Sequence, residues 1–366
     1  MMSQILNVGL VGVGEVAQVI HLPVLEAMPD RYRIAAMCDV SPKLLAAMGN
    51  KYGVDRLYMD AGELANDPEV DVVFVLNSNE YHAECAIAAA NAGKHVLIEK
   101  PMCLTFAEAD AIIEAKNRSG VKVMVGYMRR YAASFVEAVE QIRGIERIHY
   151  ARVRDIIGPN GFFIKPTSHT VAFGDIPEAL KEDRNRRTVA LVSEATGLPA
   201  GSPLHDVYGL LGGLSSHDLS VMREALGMPQ GVVGAKYTET DGWPFLTVIF
   251  DYGSFSVVFE TGVDLQGRFD AHIEVYGMGK SVKVQYDTPY IRHLPTKLIV
   301  GETDGEVYTE SVVRPTFTDP YTLELKHLHE AITQDREPKT TAEDYKDDLV
   351  LFKMIVDALA SAEKGS

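Results

Sequence analysis

Short apolar runs and segments with helical spacing alternate along the first third of the chain. Ile5 to Val11, Tyr32 to Cys38, Val70 to Leu76, His95 to Ile98 and Val121 to Val125 are each too short for a buried helix and read as strands. Val16 to Met28, Tyr81 to Ala92 and Thr105 to Ser119 carry the helical period, and Thr105 with Glu108 forms a T-x-x-E capping box. Strands that alternate with helices in this way pair in parallel and are covered on both faces. The pattern predicts an α/β domain over residues 1–126, built on a doubly wound parallel sheet.

After Tyr127 the period changes. Ile145 to Arg154 and the region from Val232 to Val313 read as longer strands with period-2 alternation, as in FLTVIFDYGSFSVVFE, where Asp251, Tyr252 and Gly253 supply a hairpin turn. The expectation is an α+β domain over 127–366, an open and mainly antiparallel sheet with helices on one face. Its closing helices run from Leu323 to Thr333 and from Ala342 to Ala360, the last a candidate to pack back on the first domain. The Gly- and Pro-rich stretch from Ile157 to Pro203 is too long for an ordinary loop and reads as an active-site cover. Within it, KEDRNRR at 181–187 reads as a solvated face.

A chain of 366 residues with 46% hydrophobic and 23% charged residues has apolar material for two cores and enough charge for a wet surface. The formal net charge of −16 argues against nucleic acid and anionic membrane as partners, leaving small-molecule chemistry. Cys38, Cys85 and Cys103 show no C-x-x-C spacing, so neither a metal site nor a disulfide framework is expected. The N-terminus carries no leader signature, and no apolar run reaches the ~18 residues of a membrane span, so the expected location is the cytoplasm.

Candidate chemistry begins at GLVGVGEVAQ, where Gly12, Gly14 and Ala17 form G-x-G-x-x-A between a strand and a helix. The second strand ends in Asp39, 22 residues beyond Ala17. This combination is the fingerprint of a Rossmann dinucleotide-binding domain. Gly12 permits the tight turn, Gly14 lets backbone approach a pyrophosphate, and the helix start at Glu15 and Val16 attracts its charge. Asp39 accepts hydrogen bonds from ribose and repels a 2′-phosphate, which favours NAD over NADP. A bare α/β turn with an acidic residue nearby is the plainer reading.

Lys100 directly follows the strand His95 to Ile98, at the sheet edge where such folds bind ligands. Pro101 stops the strand and restricts Lys100 to an extended backbone. Glu99 either orients the ammonium or holds the cofactor. A solvated strand-end lysine is the alternative. Further on, Ser216 is placed to cap a helix whose apolar face is Leu219, Met222 and Leu226, ended by Gly227. His217 then sits in its first turn, where the helix dipole favours a neutral imidazole base. A purely structural histidine remains the other reading.

GVGEVAQVIHLP, CDVS, LNSNEYHAECAIAAANAGKHVLIEKP, GYMRRY and FTDPYTLELKHLHEAI, in this order, resemble the glucose-fructose oxidoreductase, inositol dehydrogenase and MocA family. The likeness is strong over about residues 5 to 150 and looser from 205 to 360. It implies that Lys100 is a catalytic residue touching the reacting hydroxyl or carbonyl. It also implies that Asn77, Ser78, Asn79 and His82 line the nicotinamide side, and that Met128 and Arg129 touch the substrate. A family histidine at the edge of the substrate pocket corresponds to His217. Polyol dehydrogenases of the family carry an aspartate four residues earlier, where this chain has Gly213; Asp155, Asp206 and Asp218 are candidates to replace it. The expected protein is a homo-oligomeric NAD(P)-dependent oxidoreductase, a dimer or tetramer, acting on a carbohydrate-like alcohol, with Lys100 and His217 catalytic and Met128, Arg129 and Asp155 at the substrate. A sugar sensor that binds the dinucleotide without turnover is one rival, and an enzyme retaining its cofactor for a net lyase, hydrolase or exchange reaction is another.

Overall fold

The computed structural model describes residues 4–364, which form two compact units. One unit gathers the residues up to Gly126, Ser168–Gly201 and Glu324–Leu349. Its strands are β1 (Leu6–Val11), β2 (Tyr32–Cys38), β3 (Leu57–Tyr58), β4 (Val72–Val75), β5 (His95–Glu99) and β6 (Val123–Gly126). They form one sheet in the order β3-β2-β1-β4-β5-β6 with every neighbouring pair parallel. Central strands of such a sheet are covered on both faces, which is why Val72–Val75 is an unbroken apolar run, all of it buried. Strand order reverses between β1 and β4, and the carboxyl ends of these two strands mark the place where the fold binds ligands.

The capping box forms as the sequence predicts. Thr105 Oγ1 accepts the Glu108 N–H at 3.1 Å, Glu108 Oε2 accepts the Thr105 N–H at 3.1 Å, and the helix Phe106–Ser119 follows. Late residues complete this unit. Val125 and Thr340 exchange hydrogen bonds, backbone N–H to carbonyl at 2.8 Å and hydroxyl to carbonyl at 2.7 Å, so the edge strand β6 is covered. The Tyr345 hydroxyl donates to the Cys103 carbonyl at 2.7 Å. Residues 168–201 and 324–349, which the pattern assigned to the second domain, are therefore parts of the first unit.

The other unit comprises Tyr127–Thr167, Ser202–Leu323 and the residues from Val350 on. Eight strands, β7 (Ile148–Ile157), β8 (Gly231–Thr240), β9 (Trp243–Asp251), β10 (Ser256–Val263), β11 (Phe269–Gly277), β12 (Lys280–Tyr286), β13 (Lys297–Asp304) and β14 (Val307–Val313), lie in the order β14-β13-β12-β11-β7-β10-β9-β8. β7 and β10 run parallel and the other neighbours antiparallel. The β9–β10 hairpin turns through Gly253, whose φ of 78° suits glycine and whose N–H donates to Asp251 Oδ1 at 2.7 Å. Along β7 the inward residues Ala151, Val153, Asp155 and Ile157 are buried. The helices Ala133–Arg143 and Ser216–Leu226 pack on this sheet. Among the described residues no helix is long and apolar enough to cross a membrane.

One element differs from its sequence reading. A helix over Leu204–Leu210 passes through a π turn, Leu211–Ser215, straight into Ser216–Leu226. Ser216 is thus no N-cap; its hydroxyl donates back to the Gly212 carbonyl at 2.9 Å. His217 lies in the middle of a continuous rod, and the dipole argument for its neutrality falls, because that field acts only within the first turn.

A buried charge cluster joins this rod to the sheet. The Arg129 guanidinium bonds Asp218 on the helix and, at 3.2 Å, Asp155 Oδ2 on β7, with the rings of Tyr286 and Phe269 centred 5.2 and 5.5 Å from it. All three charged residues are nearly or fully inaccessible. Burial works against the Arg129 charge, yet the two carboxylates outweigh it and raise its pKa. For Asp218, burial pushes the carboxyl well above the usual carboxylate range; Arg129 pulls it down and neighbouring Asp155 pushes it up again. Removing the cation strands two buried carboxyls, so Arg129→Met should destabilise the protein by about 3 to 5 kcal/mol. Adding Asp218→Asn should return part of that loss. Urea unfolding of the parent, the single and the double variant measures it, and a single variant as stable as the parent would refute the assignment.

Candidate functional site

Within the first unit, a cleft of about 930 Å³ opens at the carboxyl ends of β1, β2 and β4. Gly12, Gly14, Glu15, Val16, Asp39, Asn77 and Ser78, all singled out by the sequence, line it together. Gly12 has φ of 92°, and a Cβ there would stand 2.7 Å from the Asn77 nitrogen, so only glycine lets the β1 loop pass the end of β4. Gly14 is the opposite case. A Cβ at Gly14 would meet no atom within 4 Å, which leaves bare backbone facing open space where the helix begins. Asp39 Oδ2 accepts the Val13 N–H and Oδ1 the Ser41 N–H, both at 2.9 Å. Each oxygen keeps a further lone pair for a ribose hydroxyl. Size, glycine cradle and rim carboxylate fit a dinucleotide.

The far wall of the cleft is the surprise. Lys181, Asp183, Arg184 and Arg187 line it from the helix Glu178–Thr196. KEDRNRR, read as a solvated face, is largely exposed, and four of its residues also line the cleft. Sequence reasoning missed it because the residues that hold it lie about a hundred positions away.

Asn79, His82, Glu99 and Lys100 are not among the lining residues. Asn79 opens a short 3₁₀ turn, Asn79–Tyr81. His82, expected beside nicotinamide, is buried, with Nδ1 2.8 Å from the Pro101 carbonyl oxygen and Nε2 3.0 Å from that of Asn77. It ties the Asn77 loop to the turn after β5 and touches no open space. Burial lowers its pKa, against the pull of the two carbonyls. Glu99 is also bonded within the unit. Its Oε2 accepts the Lys100 N–H at 3.1 Å, and its Oε1 lies 2.8 Å from Nε2 of the buried His21, a bond that requires a proton on that nitrogen. Burial alone would raise the Glu99 pKa, but the His21 bond and the Lys100 charge bring it below its ordinary value. His21, unnoticed in the sequence, is thus what keeps a buried carboxylate at the base of the Lys100 turn. Lys100 itself is half-buried, directly beyond β5.

In the second unit, His217 is 8% exposed and meets the Tyr127 ring edge-on at 6.5 Å. Met128 is buried, and with Arg129 it borders a cavity of about 30 Å³, room for water and not for a sugar. Arg129, expected with Asp155 at the substrate, bonds both Asp155 and Asp218 and so links β7 to the rod that carries His217. Asp218 bonds Arg129 through Oδ1, and Gly213 has open space where a side chain would project.

Comparison with known proteins agrees with the first unit. Residues 6–127 match the Gfo/Idh/MocA model, described as an oxidoreductase family with an NAD-binding Rossmann fold. The chain is similar to inositol 2-dehydrogenase of Salmonella typhimurium, 37% identical over 134 residues, 36% of this chain and 40% of that protein. It is also similar to myo-inositol 2-dehydrogenase of Thermotoga maritima, 34% identical over 176 residues, 45% of this chain and 52% of that protein. The chain thus matches about half the length, or less, of these curated relatives. Levoglucosan dehydrogenase in complex with NADH shares the fold across 98% of both chains, with a TM-score of 0.73 at 21% identity. Over residues 6–127, a third of the chain, the sequence is thus similar to the NAD-binding Rossmann fold of the Gfo/Idh/MocA oxidoreductase family.

Proposed function

We propose that the protein is an NAD-dependent oxidoreductase that moves a hydride between nicotinamide and a secondary alcohol or carbonyl of a sugar, polyol or sugar acid. The observation that carries this reading is the dinucleotide-sized cleft in which the Gly12–Gly14 turn faces the Asp39 carboxylate. The names of the inositol and levoglucosan dehydrogenases it is similar to support the substrate class. Asp39 disfavours a 2′-phosphate, so NAD is the preferred form. The three buried thiols suit a reducing cytoplasm.

Bound in the cleft, NAD supplies a two-electron hydride acceptor. This chain's residues do the rest. His217 takes the hydroxyl proton while negative charge builds on the oxygen, and the Lys100 ammonium stabilises that charge. Glu99 and His82 fix the backbone turn from which Lys100 projects, and the Arg129 cluster fixes the rod under His217.

Reduction of NAD against a panel of polyols, aldoses and sugar acids tests the activity, and no reduction with any of them would sink it. With the best substrate, Lys100→Met and His217→Ala should each slow single-turnover reduction by roughly 10²-fold, leaving NADH binding nearly intact. Because both serve one transition state, the double variant should lose far less than the product of the two. Fully multiplicative losses would mean independent roles. At Gly213 the missing carboxylate points to a substrate lacking a hydroxyl that the usual aspartate would bind. Gly213→Asp has the space to fold, and it should shift preference toward inositol over deoxygenated or carboxylated sugars. Inositol as the best substrate of the parent would contradict this.

A further inference from the structure

We propose that residues 168–201 form a strap across the dinucleotide cleft, and that Arg184 on this strap is a cofactor-binding residue that pairs with a dinucleotide phosphate. The inference rests on reading the cleft as a dinucleotide site.

Polar anchors pin the strap to both rims. On the β1 and β2 side, Gln18 grips the Val171 backbone twice, donating from Nε2 to its carbonyl at 3.0 Å and accepting its N–H at 2.8 Å. Asp175 accepts from the Ser41 hydroxyl at 2.5 Å and from the Lys43 N–H at 3.0 Å. On the β4 side, the Tyr81 hydroxyl donates to Asp183 at 2.8 Å, and Thr188 donates to Glu80 at 2.7 Å. Arg187 donates to Glu84 at 2.7 Å, its guanidinium lying 4.6 Å from the centre of the Tyr81 ring.

These anchors follow β1, β2 and β4, the strands whose ends flank the switch point, so the strap spans the place where the fold holds its ligand. Its helix does not owe this position to an apolar face. Of the residues in Glu178–Thr196, only Val192 and Thr196 are buried. A helix with so small a buried face, pinned to the rims by polar contacts, is placed for what lies beneath it.

The charges beneath it are unequal. Lys181 is paired with Glu178, and Arg187 with Asp183 and Glu84. Arg184 lines the cleft, yet among the described residues its guanidinium has neither an ion pair nor a hydrogen bond. In a chain of net charge −16, with acidic side chains all around the rim, an unspent guanidinium on a cleft wall is matched to an anion from outside the chain. Two phosphates qualify. The pyrophosphate is common to NAD and NADP, whereas the 2′-phosphate belongs to NADP alone; Asp39 at the ribose makes the pyrophosphate the expected partner.

Stopped-flow fluorescence of NADH and NADPH released from the 366-residue chain reads this directly. Arg184→Gln should speed release of both by roughly tenfold, the scale of one charge-assisted hydrogen bond, and Arg184→Lys should recover part of it. An effect confined to NADPH would assign Arg184 to the 2′-phosphate and still support the strap contact. Unchanged release of both would overturn it. Independently, Tyr81→Phe combined with Thr188→Val removes two rim anchors. This variant should release NADH faster and lose the protection from hydrogen exchange that bound NADH gives the 178–196 backbone in the parent. No such protection in the parent would refute the strap. A parent that binds neither dinucleotide would instead refute the reading of the cleft itself.

Discussion

The Asp39 carboxylate is the contact on which the cofactor site depends. One oxygen accepts the Val13 N–H and so sets the glycine turn; the other accepts the Ser41 N–H. Ser41 in turn caps the helix Pro42–Tyr52 by accepting the Leu44 N–H, and its hydroxyl reaches Asp175 of the strap. A single acidic side chain thus couples the Gly12–Gly14 turn, the start of the next helix and the segment that carries Asp175. The same group is the one proposed to read the ribose, so its structural role and its proposed selective role share one position.

Elsewhere the two units meet the cost of buried charge in the same manner, by pairing. In the first, Glu99 at the end of β5 is held by His21 and by the Lys100 N–H. In the second, Arg129 is held by Asp155 and Asp218. An unpaired charge at either place would cost several kcal/mol, which ties the turn of Lys100 and the rod of His217 to fixed arrangements. Groups proposed for proton transfer and charge stabilisation need such support, since misplacement by an ångström is enough to lose much of their effect.

Local rules carried the first unit far. The run of β4, the Thr105–Glu108 box and the Gly12, Gly14 and Asp39 spacing all express themselves within a few residues or one strand–helix unit, and these were legible in the sequence. Where distant residues decide, reading failed. Ser216 reads as the cap of a new helix, but the π turn Leu211–Ser215 carries the rod through it, and His217 lost its place in a first turn. Nothing near Arg129 in sequence announces that Asp155 and Asp218, 26 and 89 positions away, are folded onto it. KEDRNRR has the composition of a solvated face, and nothing nearby in sequence announces Tyr81 and Glu84 as partners of Asp183 and Arg187. His21 gave no signal at all, because a histidine among apolar residues shows its role only once Glu99 is beside it.

The most direct test of the account is a pair of equilibrium titrations, NADH and NADPH against the parent protein and Asp39→Ala, followed by nicotinamide fluorescence. The account predicts that the parent binds NADH more tightly and that the substitution narrows or reverses the preference, since it removes the repulsion of a 2′-phosphate. Tighter binding of NADPH by the parent would contradict it.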